Sequence, residues 1–312
     1  MSRYWECPSC RALLTRERLE ATSGVCPYCD ARVGPAAEFA DPDALPVEAA
    51  AARPLPPVAV PATIAGKLGM AAWLLVEQLP LIAGLVILFK LPANAGLEII
   101  IERRGEAAHP LAPLLLKLAV ELFFDPIVTA AVLVTMAARM SGRATTFPVA
   151  LRAGLDSWWW LLAARVVKQL TIMAAGFGLL FPALGPLRIL FVFPMLFLVV
   201  RYALVDEVTV LDHAPVLDSR RRSSELVSRR ALTVVAAGFG SLIALVLVIQ
   251  AIGGWAERVG LIEDPIARGA STTLFDVLAV YNTIVLFLIY WEARTGPEGA
   301  TAFKPAVEEE VL

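Results

Sequence analysis

Apolar positions are unevenly spread along the chain. Residues 1–66 mix polar, charged and Pro/Ala-rich stretches, and from Gly69 onward long apolar runs alternate with short polar breaks. A spanning helix needs about 20 mainly apolar residues. Six segments qualify: 70–90, 112–137, 160–181, 187–204, 231–252 and 274–292. The third and fourth are parted only by Pro182-Ala183-Leu184-Gly185-Pro186, a helix-breaking turn. The pattern predicts an all-α polytopic membrane bundle of about six transmembrane helices behind a small N-terminal head.

The polar positions divide the rest. Residues 1–34 form the head, 35–66 a disordered, acidic, Pro/Ala-rich linker, 67–295 the helical domain and 296–312 an acidic tail. Between the second and third spans, Thr146-Phe147-Pro148 opens a helix, with proline in the first turn. Phe147, Leu151, Leu155 and Trp158 recur on one face of it, so residues 146–160 read as an amphipathic helix on the membrane surface, ending in the interfacial cluster Trp158-Trp159-Trp160. A second polar segment, 214–230, separates spans four and five. Leu170–Gly178 resembles Leu232–Gly240, which reads as a parallel internal repeat pairing spans two and three with spans four and five. The paired glycines suit close helix approach and leave room for a homo-oligomer.

Composition sharpens this. Of 312 residues, 58% are hydrophobic, well above the 45–50% usual in soluble domains. The net charge of −2 gives no field that would attract nucleic acid. Twelve Lys and Arg residues fall on the side of the head, including Arg220, Arg221 and Arg222, against six on the other. The richer side faces the cytosol, so both termini are expected there. Basic residues are mostly Arg, which points to a bacterial chain and hence to the cytoplasmic (inner) membrane. The first residues lack an apolar core, so no cleavable signal peptide is expected.

All four cysteines lie in the head, as Cys7-Pro8-Ser9-Cys10 and Cys26-Pro27-Tyr28-Cys29. Two such knuckles supply four thiolates at tetrahedral corners and leave no position open for water. The expected cofactor is therefore a structural Zn2+ on Cys7, Cys10, Cys26 and Cys29. Leu13, Leu14, Val25 and Val33 are too few for a core, so the metal would supply the folding energy. The head resembles the short zinc ribbons of bacterial N-termini. Its Arg residues are nearly balanced by Glu and Asp, which argues against nucleic acid as a partner.

Ionisable residues inside spans are costly and are functional candidates. Here they are Glu77, Glu121, Asp125, Arg165 and Lys168. Glu121 and Asp125 share a helix face, with Lys117 in reach of Glu121, and both carboxylates are expected to point into the bundle. Arg165 and Lys168 have two readings. Deep in a span they would pair with Glu121 and Asp125. If the repeat holds, Lys168 aligns with Arg230 at the cytosolic edge, the reading the sequence favours, where it can snorkel. No catalytic motif is present, and His109 and His213 read as loop residues.

Asp212, the helix Arg221-Arg222-Ser223-Ser224-Glu225-Leu226, and the ending Tyr290-Trp291-Glu292-Ala293-Arg294 resemble the multi-pass membrane domain associated with bacterial glycerophosphodiester phosphodiesterases, over residues 111–299. That resemblance implies a helical membrane fold and no activity, because the phosphodiesterase chemistry belongs to a separate soluble domain that this sequence does not contain. Two functions follow from the sequence. The first is a non-enzymatic scaffold or regulator, embedded in the lipid bilayer, whose cytosolic ribbon binds a protein partner. The alternative is a small-solute or lipid transporter using the intramembrane carboxylates.

Overall fold

A computed structural model describes residues 4–6, 13–15, 25, 58–104, 112–258 and 264–295. The chain divides into two compact units, Met1–Val58 with Ala137–Thr145, and Ala59–Met136 with Thr146–Leu312. In the first, strands β1 (Tyr4–Glu6) and β2 (Leu13–Thr15) pair antiparallel, Tyr4 opposite Thr15, Trp5 opposite Leu14 and Glu6 opposite Leu13.

The second unit is helical. Its helices are α1 (Ile64–Glu77), α2 (Leu79–Arg104), α3 (Ala112–Met140, which runs on into the first unit), α4 (Phe147–Ala175), α5 (Val192–Arg201), α6 (Val205–Leu211), α7 (Val216–Ser228), α8 (Ala231–Arg258) and α9 (Pro265–Thr295). Two 3-10 segments, Phe177–Leu180 and Pro182–Phe191, join α4 to α5. Gly185 turns this connection at a φ of 53°, a left-handed value that a residue without Cβ adopts at little cost.

Among the described residues, five segments are long and apolar enough to cross a membrane: Leu79–Arg103, Leu115–Met140, Gly185–Leu211, Ala231–Gly254 and Pro265–Thr295. The chain is thus an all-α membrane bundle, but the span boundaries differ from those predicted. The first run, 70–90, breaks at Gln78. Pro80 follows in the first turn of α2, where its missing N–H belongs to the helix start. The separate surface helix 146–160 and span 160–181 are one continuous helix, α4. A Cβ on Gly154 would stand 2.5 Å from the Ile127 carbonyl of α3, so one face of that stretch packs closely on α3, while Arg152 and Asp156 on the other face are exposed. α4 is long enough to cross. It falls outside the five because Arg165, Lys168 and Gln169 interrupt its apolar run.

The repeat is not reproduced either. Leu170–Gly178 closes α4, whereas Leu232–Gly240 opens α8, so the two stretches sit at opposite ends of their helices. The likeness lies in the recurrence of small and apolar residues, which any close-packed membrane helix favours.

The core is the seam between α2 and α9, which pack more extensively than any other pair of described elements. A Cβ on Gly269 would meet Ala95 Cα at 2.6 Å, so the two backbones are nearly in contact there. From Ile284 to Tyr290 nearly every α9 side chain is fully buried. α5 and α8 carry the most exposed apolar side chains. Phe193 and Leu247 are 66% and 65% exposed amid a continuous apolar surface, as expected of helices that face lipid.

A candidate functional site in the bundle interior

Among the described residues, the charged and polar groups of the bundle meet chiefly in five places. The first is a lattice between α2, α3, α4 and α6. Buried Lys90 of α2 pairs with Asp125 of α3. The other Asp125 oxygen lies 3.5 Å from Arg165 Nη1. Arg165 reaches Asp206 of α6 through Nη2 at 2.7 Å and Nε at 2.9 Å, and donates to Thr129 Oγ1 at 2.7 Å. Lys168 adds a third contact to Asp206 at 3.1 Å. Three cations and two carboxylates are thereby joined edge to edge. Two fixed charges on Asp206, with a fork-like guanidinium among them, are what a carboxylate withdrawn from water requires.

The local sequence explains the convergence. Asp125 and Thr129 are one turn apart on α3, and Arg165 and Lys168 one turn apart on α4, so each helix offers a polar stripe of two residues. Asp206 stands at the start of α6 because the fourth span is broken: α5 ends at Arg201 and the chain turns through 202–204. Ser223 of α7 holds that break, accepting from Leu204 N at 3.2 Å and donating to the Arg201 carbonyl at 3.1 Å. Beside Asp206, Glu207 is 1% exposed, and its Oε2 has no hydrogen-bond partner among the described residues.

A second cluster ties α2 to α9: the Asn94 amide donates to Thr273 Oγ1 at 3.1 Å and to Asp276 Oδ2 at 2.9 Å. A third lies where α6 meets the end of α9. The Tyr290 hydroxyl donates to Asp212 Oδ1 at 2.6 Å, and Arg294 lies 3.6 Å from the same oxygen. Burial raises the Asp212 carboxyl above its ordinary range, against the opposing pull of Arg294 and the Tyr290 hydroxyl. At the same end, Glu292 bridges buried Lys67 and Arg230, each at 3.2 Å. At the far end Arg268 lies between Glu98 at 3.3 Å and Glu102 at 3.2 Å.

Of the residues singled out from sequence, Asp125, Arg165 and Lys168 come together. Lys168 and Arg230, which the repeat aligns, have different partners. Arg230 precedes α8 and pairs with Glu292, while Lys168 lies within α4 and pairs with Asp206. Glu77 sits exposed at the last residue of α1. Glu121 departs most from expectation. It is exposed, forms no ion pair with Lys117, and has no charged partner among the described residues. The reason is local: α2 and α4 engage α3 from Asp125 inward, where residues 126–133 are buried, and leave the preceding turns more exposed. Lys90, Asn94, Asp206, Glu207 and Asp276 were missed. Lys90 ends the apolar run 70–90 and Asp206 lies just beyond the run 187–204, whereas the segments Leu79–Arg103 and Gly185–Leu211 include them.

Along the exposed half of α3 runs a groove of about 390 Å³ between α2 and α3. Leu88, Pro92, Gly96 and Ile100 form one wall and Leu116, Val120 and Phe124 the other. Phe89 and Phe124, with ring centroids 6.2 Å apart, close its inner end.

The zinc-ligand cysteines lie outside the described residues. The described hairpin fits a ribbon, because β1 ends at Glu6 and β2 begins at Leu13, so the first knuckle, Cys7 to Cys10, falls in the connection between two paired strands. A family model described as the acetyl-CoA carboxylase zinc finger domain matches residues 5–29, the segment that holds all four cysteines. No curated protein matches the chain. No solved structure matches it. The chain is therefore a helical membrane bundle with an N-terminal zinc ribbon similar to that of acetyl-CoA carboxylase.

Proposed function

We propose that this protein is a non-enzymatic scaffold or regulator of the bacterial cytoplasmic membrane, with its ribbon in the cytosol as the partner-binding module. The observation that carries this reading is the closure of the interior lattice. Arg165 and Lys168, the charges that make α4 less apolar than its neighbours, are both engaged by Asp206, and Arg165 also by Asp125. Charges matched within the chain hold helices in register and leave little capacity for a passing solute. With its cations so paired, α4 can cross as a sixth span. An even number returns both termini to the side favoured by the Lys/Arg bias.

In the head, Cys7, Cys10, Cys26 and Cys29 would hold one Zn2+, whose role is to fold the ribbon. Asp212, Tyr290 and Arg294, which carry the resemblance to the phosphodiesterase-associated membrane domain, meet at one end of the bundle.

The test is crosslinking in intact membranes followed by purification, with the full chain and with a chain lacking residues 1–34. A scaffold loses its crosslinked partner with the ribbon and keeps it when Asp125 and Asp206 become amides. The transporter reading has one observation in its favour, the buried Glu207 Oε2 without a partner among the described residues. It requires the reverse outcome, with partner capture indifferent to the ribbon and solute flux abolished by Glu207→Gln.

A further inference from the structure

From the α2–α3 groove and the two charges beside it, neither in an ion pair among the described residues, we infer a binding site for one glycerophospholipid whose headgroup carries both a phosphate and an ammonium.

The groove has the direction of a lipid tail. Its walls are two i, i+4 rows, Leu88 to Ile100 on α2 and Leu116 to Phe124 on α3. The α2 wall covers a rise of about 18 Å, close to the ~15 Å depth of one hydrocarbon leaflet. Ile100 and Leu116 stand near the outer helix ends, at the level of the Glu98–Arg268–Glu102 cluster, and the Phe89–Phe124 pair lies near mid-helix. The groove is therefore open toward the headgroup level and closed toward the bilayer centre. Only apolar side chains, proline and glycine line it. Gly96 widens it, since a Cβ there would have nothing within 4 Å.

Lys117 and Glu121 supply the polar end. They stand one turn apart on the α3 face next to the groove wall, both exposed, and neither forms an ion pair among the described residues. Lys117 is two residues inside the start of the span at Leu115 and Glu121 one turn deeper. A carboxylate at that depth facing hydrocarbon is costly unless a cation meets it. A phosphate on Lys117 and an ammonium on Glu121 satisfy both charges, and the acyl chain of the same molecule then enters the groove. The charge pattern favours a zwitterionic headgroup with a primary ammonium over an anionic one, which would meet Glu121 as a like charge.

The full-length protein is extracted from membranes, delipidated and reconstituted with equal amounts of phosphatidylethanolamine and phosphatidylglycerol, and its retained lipid is read by native mass spectrometry. One phosphatidylethanolamine per chain is expected, in at least tenfold preference. Gly96→Leu fills the groove and should remove it. Gly253→Leu, where a Cβ also meets nothing within 4 Å, should keep it. Glu121→Gln should abolish the preference while leaving a lipid bound, and Lys117→Gln should weaken retention of both lipids. The inference is overturned by no retained lipid, by equal loss in Gly96→Leu and Gly253→Leu, by preference for phosphatidylglycerol, or by a dimer mass that Gly96→Leu converts to monomer, which would make a second copy the occupant.

Discussion

The two halves of α3 are built to opposite rules. From Pro126 to Leu133 the helix is buried, and its boundary residue Asp125 is held by Lys90 and Arg165. From Leu115 to Phe123 most side chains are exposed, and Lys117 and Glu121 stand without ion-pair partners among the described residues. Glu121 and Asp125 have the same chemistry, the same helix and the same face. What separates them is one turn, because the neighbouring helices carry matching cations only at the inner level. A carboxylate inside a membrane protein is thus defined by the residue opposite it more than by its own position.

The largest way to break this contrast is at the hub of the inner half. Asp206→Ala leaves the half-buried Arg165 and Lys168 without their shared anion. It should cost about 3–5 kcal/mol, read by reversible SDS denaturation in mixed micelles. Gly269→Ala should come next, at about 1–3 kcal/mol in the same assay, because the added Cβ meets the α2 backbone at Ala95 and not a flexible side chain. Asp125→Asn should cost about 1 kcal/mol. The Asp125 side chain is 45% exposed, so solvent screens its two pairs, and the amide retains hydrogen bonding. Glu121→Gln should change stability in detergent by less than about 0.5 kcal/mol, since no described residue depends on it. A loss at Glu121 equal to that at Asp125 would erase the distinction between the halves.

The sequence makes the class of fold legible, and five of the six runs it offers overlap segments long and apolar enough to cross among the described residues, because apolar runs of bilayer length have few other uses. Where helices begin and end is less legible. Of the Trp158-Trp159-Trp160 cluster that reads as an interface, Trp159 and Trp160 are exposed, while Trp158 donates from Nε1 to the Phe123 carbonyl at 2.9 Å within a continuous α4. Composition cannot distinguish an aromatic girdle from aromatics packed between helices. Asp125, Arg165 and Lys168 were visible as charges in apolar runs. Their partner Asp206 was not, because it lies next to a break in the fourth span that only Ser223, from a helix beyond it, makes stable.

The smallest predicted effect concerns the cluster where α6 meets the end of α9. The Asp212 carboxyl is raised in the folded protein, so its neutral form is favoured there. Its contribution is fully present below the pKa of the unfolded chain and is lost as pH rises through the folded value. Relative to wild type, Asp212→Asn should therefore flatten the decline in stability from acid toward neutral pH. A steeper decline in the variant would reverse the sign and contradict the burial argument.

The central claim is that the interior charges are matched to one another within the chain, and a double-mutant cycle on Asp206 and Arg165 tests it most directly. Asp206→Asn, Arg165→Met and the combination are denatured side by side. The double variant should lose less than the sum of the single losses by at least about 1.5 kcal/mol, since each single change strands the other charge. Additive losses would mean that the two residues do not sense each other, and the lattice account would fail.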